Sequence, residues 1–498
     1  MSNNTKAKIL ETIQITGDIT VTSPLLIGDG EKNNEAVDAL VLRNRYDKPY
    51  IPATSLAGVL RHHVVHYLEE DISQVMRNII FGSLDQGASV KTGDHQSILR
   101  VYDVVLTGAD GTSDVSIVTR DGVRLEHYRR VAKDGHKFDY EAIDKGAIGT
   151  VAMECIIRQG HLDVLKNFDD SLTDTQALTM IREAVFTIAN MLYTGIGVGR
   201  YTTKGFGQIK SHNVEAHVYQ LQTMDSIYKW VMRDQQKSSG DMVHKGQSVT
   251  PKMSHLFHMK VWANIDSALI VRTISQNSDV DSTMLMSGDD YVIPGSSIKG
   301  VLRHHSQSIL EKMGVWEGWN GTEQTDTTNA SRFVSLFGGM MATNASKLYK
   351  SRVSVSEAYI APSKAVLKMK QTRNRIDRFT GGTIDSALFD SEPIWQVENP
   401  KEGILSFEVN VQNCVEDEAG LMFVLLRDLW MGKLTFGGEA SIGRGRLRGV
   451  RAEVIYNGET YTFENEYDAD GRIAKYATES NGNIDTINEC IQYLQMGI

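Results

Sequence analysis

Two acidic loops carry the side chains best suited to phosphate chemistry. Glu35-Ala36-Val37-Asp38 precedes Pro52, and Asp279-Val280-Asp281 precedes Pro294. Asp38 stands 14 residues before Pro52 and Asp281 stands 13 before Pro294, so the two are near-equivalent. A carboxylate among phosphate-binding cations can hold a divalent metal or orient a 2′-hydroxyl for attack on the adjacent phosphorus. The plainer alternative is an ordinary loop acid.

Cations fall at matching places. One run is Arg120, Arg124, His127, Tyr128, Arg129, Arg130 and Lys133; the other is Lys368, Lys370, Arg373, Arg375 and Arg378, followed by Phe379. Cations mixed with aromatics suit single-stranded nucleic acid, where bases stack and phosphates pair; a solvated hairpin is the alternative. Two glycine-rich segments, 195–207 and 437–446, add Arg200, Lys204, Arg444 and Arg446. Clustered glycine lets backbone N–H groups approach a phosphate. Neither segment is a Walker or dinucleotide loop, because each follows a helix instead of opening one. A tight helix-to-strand turn is the alternative there. A third group, Ser55 with Arg61 and Ser297 with Lys299 and Arg303, sits at helix starts that can seat a phosphate. Of the pairs His62-His63 and His304-His305, which invite a catalytic or metal reading, His63 and His305 fall on the apolar face and read as partly buried, satisfied histidines. Neighbours on a helix point about 100° apart and do not converge on one metal.

The elements that position these groups come in duplicate. Residues 51–63, IPATSLAGVLRHH, match 293–305, IPGSSIKGVLRHH, at nine of thirteen positions. Ile80-Phe81-Gly82 then answers Leu336-Phe337-Gly338, Thr119-Arg120 answers Thr372-Arg373, and Gly205-Phe206-Gly207 answers Gly443-Arg444-Gly445. A period of about 240 residues is too long for a solenoid and means two copies of one domain. The spacing places domain 1 at 1–235, a polar linker at 236–253 and domain 2 at 254–498. Each copy opens with an alternating strand and continues to a helix capped by Thr54 or Ser55 (Ser296 or Ser297) after Pro52 (Pro294). That helix buries Leu56, Val59, Leu60, Val64, Tyr67 and Leu68, or Ile298, Val301, Leu302, Ile309 and Leu310. A second amphipathic helix, 174–193 or 418–431, runs into the glycine-rich turn and a final strand. Strand–helix–strands–helix–strand with hairpin insertions points to a ferredoxin-like α+β unit.

Composition narrows the classes. The 498 residues are 41% hydrophobic and 23% charged, with a net charge of −10, so any nucleic-acid surface is a local patch on an acidic body. Three distant cysteines suit a reducing cytosol and exclude a disulfide framework. No apolar run is long enough for a membrane span, and no apolar signal region follows Met1, so a cytoplasmic location is expected.

Together these residues resemble the RAMP superfamily of CRISPR-associated proteins. The resemblance rests on the I-P-G/A-S/T-S-x-x-G-x-x-R helix start, the L/I-F-G that follows, and the terminal G-x-G-x-x-x-x-x-G-x-G segment, each present in both halves. The nearest pattern is the backbone subunit of type III effector complexes, here two fused on one chain, as in III-D-like variants. The resemblance implies two tandem ferredoxin-like (RNA-recognition) domains, each with a β-hairpin thumb, at 120–150 and 373–395. It implies binding to a guide RNA, stacking with other RAMP-type effector subunits, and cleavage of single-stranded target RNA at thumb-induced kinks. The cutting position carries onto Asp38, in its A-V-D context, and onto Asp281. The second copy departs from the first, with Val271-Arg272-Thr273-Ile274 where Ile27-Gly28-Asp29-Gly30 stands. Mg2+ or another divalent cation, held transiently by Asp38 and Asp281, is the implied cofactor; no organic cofactor is. A binding scaffold with one or both acids silent stays open beside the nuclease.

Overall fold

The computed structural model describes residues 6–30, 38–83, 95–126, 131–233, 240–252, 255–274, 279–315, 328–341, 347–468, 473–481 and 484–496. The chain divides into two units. The first comprises 1–124, 132–202 and 206–253; the second comprises 254–498 with the short segments 125–131 and 203–205.

The first unit is built on β1 (Ile9–Val21), whose Ile13, Ile15, Ile19 and Val21 are buried. Then come α1 (Ala53–His63), α2 (Glu70–Phe81), β2 (Leu99–Val101), a hairpin of β3 (Ile117–Leu125) and β4 (Ala132–Ile143), and β5 (Ile148–Arg158). The long helix α3 (Asp174–Thr194), β6 (Gln208–Ser211), β7 (Glu215–Gln220) and β8 (Met242–Lys245) complete it. The sheet runs β8-β7-β1-β5-β2, with β6 also on β1, and these pairings are antiparallel. Last strand, first, third, second is the ferredoxin-like order. Thr173 and Gln176 close a reciprocal capping box at the start of α3, a signature readable as T-x-x-Q. Across the sheet, Arg182 of α3 grips buried Glu11 of β1 with two bonds of 2.9 and 2.6 Å. A bidentate pair of this kind fixes helix to strand by geometry as well as charge.

The second unit repeats the order with β9 (Phe257–Ile265), α4 (Gly295–Met313), α5 (Thr328–Phe337), β10 (Val353–Val355), the hairpin β11 (Gln371–Ile376) and β12 (Thr383–Glu392), β13 (Leu405–Val411), α6 (Glu416–Trp430) and β14 (Leu447–Tyr456). Its sheet runs β10-β13-β9-β14 and is extended by β15 (Glu459–Tyr467) and β16 (Ile473–Asn481). A last helix, α7 (Ile484–Met496), packs on α6. Both expected hairpins are present, and both units are ferredoxin-like α+β.

Two expectations need correction. Neither Thr54 nor Ser55 caps α1, and neither Ser296 nor Ser297 caps α4; the residue before each helix is Pro52 or Pro294, with no side-chain cap. Ser55 and Ser297 lie inside the first turn, their N–H groups donating to Pro52 O (3.0 Å) and Pro294 O (2.9 Å). In the first unit the capping acceptor comes from afar, since Asp103 Oδ1 takes the Ala53 N–H at 2.7 Å. The helix also does not run through to Leu68. It passes at Val64 into a 3-10 turn, and α2 starts afresh at Glu70.

Candidate functional site

The acids sit where hairpin and sheet meet, and the two units hold them alike. Asp38 N–H donates to Asp139 O (2.9 Å), and Asp139 N–H donates back to Asp38 Oδ2 (2.9 Å). In the second unit Asp281 N–H donates to Asp390 O (3.0 Å), and Asp390 N–H donates to Asp281 Oδ2 (2.8 Å). The following residues then pair in parallel, Ala39 with Tyr140 and Ser282 with Ser391. Asp38 and Asp281 are thus equivalent in three dimensions. Both are exposed, and in each one carboxylate oxygen is pinned while the other has no hydrogen-bond partner among the described residues.

The partner segments Phe138-Asp139-Tyr140-Glu141 and Phe389-Asp390-Ser391-Glu392 share an F-D-x-E pattern that the sequence comparison missed. Glu141 Oε2 accepts from Val41 N–H at 3.2 Å and Glu392 Oε2 from Thr283 Oγ1 at 3.2 Å, so both ends of the pattern tie down the acidic loop. The surroundings differ. Hydrogen bonds from Thr372 and then Lys370 hold the Asp390 carboxyl below its ordinary pKa. Beside Asp139, partial burial raises the Asp121 carboxyl; Lys137 opposes that and the Asp139 charge adds to it.

The glycine-rich segments place their left-handed residues at the same spacing. Gly199, Tyr201, Gly205 and Gly207 have φ of 86°, 61°, 87° and 74°; Gly437, Glu439, Gly443 and Gly445 have 77°, 64°, 88° and 81°. Arg200 N–H donates to Leu26 O and Gly438 N–H to Ile270 O, both at 2.8 Å, which matches Gly28 with Arg272. At the last glycine a side chain is impossible: a Cβ would stand 1.9 Å from Val198 O at Gly207 and 2.0 Å from Phe436 O at Gly445. The segment is a tight turn that leads the chain from helix to final strand.

The remaining cations separate into structural and exposed. Arg61 Nη1 donates to Phe81 O (3.0 Å) and Gly82 O (3.2 Å), and Arg303 Nη1 donates to Gly338 O (2.5 Å). The repeated helix arginine and the repeated Phe-Gly are therefore one device, which closes the end of the next helix. Lys299 is 7% exposed and donates to Ser351 Oγ (2.7 Å) and Val353 O (2.9 Å), so it is no surface phosphate ligand. Burial, then Lys204 and Arg303, pushes its pKa down to about 7. Lys204 is half-buried, and burial lowers its pKa too.

Arg373 and Arg444 both bond Glu439, whose side chain is 4% exposed, and Arg272 joins them at 2.6 Å. Burial alone would raise the Glu439 carboxyl's pKa, but the three arginines outweigh it and hold it low. This ion cluster takes Arg373 and Arg444 away from the role expected of them. Arg200, Arg375, Arg378 and Arg446 are exposed and lack side-chain hydrogen bonds among the described residues, while Arg120 is buried. Arg129 and the side chain of Arg124 lie outside the described residues. His305 Nε2 meets Asp428 Oδ2 at 2.8 Å, a satisfied helix histidine as expected.

A model of the RAMP superfamily matches residues 18–210 and 274–448, one stretch in each unit. The chain belongs to the RAMP superfamily. RAMP membership implies a part in CRISPR-associated RNA-binding complexes, alongside RNA and other subunits, and some RAMP proteins are endoribonucleases. A search of curated proteins returned no match. Among the described residues of this RAMP chain, no helix is long and apolar enough to cross a membrane. Nor do three or more His, Cys, Asp or Glu side chains gather as a metal site. At each acidic loop Asp38 or Asp281 offers one unpinned carboxylate oxygen, a contact that would suffice for Mg2+, which keeps most of its waters and leans on substrate phosphates.

Proposed function

We propose that this chain is a guide-RNA-binding backbone subunit of a type III CRISPR effector complex that also cleaves target RNA. The supporting observation is the twin placement of Asp38 and Asp281, each locked by the same two bonds to the base of a protruding hairpin. A hairpin that splays the target strand frees the nucleotide beside the acid from A-form geometry, which the in-line angle requires. The target's own 2′-hydroxyl attacks the adjacent phosphorus, the 5′-oxygen leaves, and a 2′,3′-cyclic phosphate remains. The unpinned oxygen of Asp38 or Asp281 orients that hydroxyl and accepts its proton. Asp38 or Asp281 would also hold a divalent ion transiently, which would supply charge neutralisation at the phosphate. Exposed Arg200, Arg375, Arg378 and Arg446 track the strand backbones, and further RAMP-type subunits continue the filament. The chain's three cysteines are free and buried, which fits a reducing cytoplasm.

The test uses the assembled guide-bearing complex, labelled target RNA and Mg2+. Asp38→Ala and Asp281→Ala are each expected to remove one cut, slowing it at least about a hundredfold, while target binding holds. Loss with Asp38→Ala alone makes the second unit a scaffold. Two unchanged cutting patterns refute the nuclease and leave an RNA-binding module.

A further inference from the structure

The second unit meets its buried arginine, Arg444, with Glu439 of its own, whereas the first unit's buried Arg120 has no hydrogen-bond partner among the described residues. Arg120 is 4% exposed, and none of its three guanidinium nitrogens has a hydrogen-bond partner among the described residues. Asp144 N–H donates to Ser116 O at 2.9 Å, and counting along the hairpin from that bond sets Arg120 opposite Tyr140. Gln371 pairs with Ser391, the counterpart of Tyr140. Arg120 therefore stands where the second unit has a neutral glutamine.

Around that place the two units have exchanged chemistries. In the second, Gln371 accepts from Arg444, and Glu439 answers Arg444, Arg373 and Arg272. In the first, Phe206 replaces Arg444, Tyr201 replaces Glu439 and Gly28 replaces Arg272. The Tyr140 ring lies 5.3 Å from that of Tyr201 and 5.7 Å from that of Phe206, centroid to centroid. Arg200, next to Tyr201 in the chain, brings its guanidinium to Gly28, where a Cβ would stand 3.1 Å from Cζ. The first unit thus has no acid at the place of Glu439, and its buried cation, Arg120, stands where the second unit has Gln371.

A guanidinium does not deprotonate. Buried without a partner, it is among the costliest groups a fold can hold, and its attraction for an anion grows as water is excluded. We propose that Arg120, with Arg200 on the neighbouring loop, seats a phosphodiester of bound RNA in the first unit, at the place the second unit closes with Glu439. The proposal rests on the RNA-binding reading and deepens it: the two units are unequal, one taking its anion from the RNA and the other from itself.

The experiment titrates the full-length chain with a short oligouridylate and, separately, with inorganic phosphate, reading affinity and melting temperature. Arg120→Gln installs the second unit's residue, and Tyr201→Glu installs its carboxylate. Each variant is expected to weaken oligouridylate binding about tenfold to a hundredfold and to abolish phosphate binding. Tyr201→Glu should also raise the melting temperature of the free chain, since it supplies the missing charge. Oligouridylate affinity unchanged in Arg120→Gln overturns the proposal, as does a lower melting temperature in Tyr201→Glu. Phosphate bound through Arg120 but not displaced by oligouridylate overturns the assignment to RNA. A wild-type chain that binds no RNA at all refutes the RNA-binding reading itself, an outcome distinct from these.

Discussion

Lys299 makes the second unit's stability depend on pH in a direction opposite to most lysines. Its ammonium is buried, and burial, helped by Lys204 and Arg303, brings its pKa from 10.5 to about 7. Between those values the unfolded chain holds a proton that the folded chain lacks, so stability rises with pH. Below about pH 7 both states are charged and the burial penalty is present in full. One pKa unit corresponds to about 1.4 kcal/mol, so the rise from about pH 7 to about pH 9.5 has a ceiling of about 3 kcal/mol. Lys299→Met removes this dependence; the first unit already carries Ala57 at the matching place. The assay is urea denaturation of the full chain across that range, followed by tryptophan fluorescence, since five of the six tryptophans lie beyond residue 253. Hydrogen bonds lost with the amine shift the variant's curve by a constant, whereas the slope isolates the titration. Parallel pH profiles for wild type and Lys299→Met would refute the reasoning.

Arg303→Ala strips Gly338 O of its donor, and Arg61→Ala does the same to Phe81 O and Gly82 O. Each is expected to cost about 1–3 kcal/mol in urea denaturation and to leave oligouridylate affinity unchanged. Glu439→Gln leaves Arg272, Arg373 and Arg444 facing one another without a carboxylate, a loss of about 3–5 kcal/mol seen as a lower melting temperature of the second unit. Arg375→Ala and Arg378→Ala act only on RNA. Each should reduce the slope of log affinity against log salt by about 0.7, read from binding titrations at several salt concentrations.

The repeat made most of the fold legible. A helix start matched at nine of thirteen positions locates two equivalent helices, and hydrophobic spacing finds α3 and α6 to within two residues. The acids were legible for a similar reason, since their distance to a fixed proline is nearly the same in both copies. What failed were inferences about side-chain destination. Arg61 and Lys299 look like phosphate ligands on a helix, yet the acceptors that claim them, Phe81 O and Val353 O, come from elements some 20 and 54 residues away. The cap at Asp103 is equally remote. Thr119-Arg120 and Thr372-Arg373 match in sequence but not in register: counted from the hairpin bonds, Arg120 falls with Gln371, a two-residue shift that keeps the face and hides the error. F-D-x-E escaped because three matching residues in four carry little statistical weight until the pairing shows their purpose.

The ferredoxin-like strand order also sets a timetable. β1 leaves the ribosome well before its partners β5 and β7, which begin only at Ile148 and Glu215. At roughly 5–20 residues per second, this central strand waits roughly 10–40 s for cover on both sides. The duplication raises the stakes, because β9 emerges as a second central strand while a finished sheet of the same design is tethered beside it. Every molecule thus meets a competing partner during its own synthesis. Glu11 of β1, held by Arg182 of α3 through two bonds, ties that strand to a helix of its own unit.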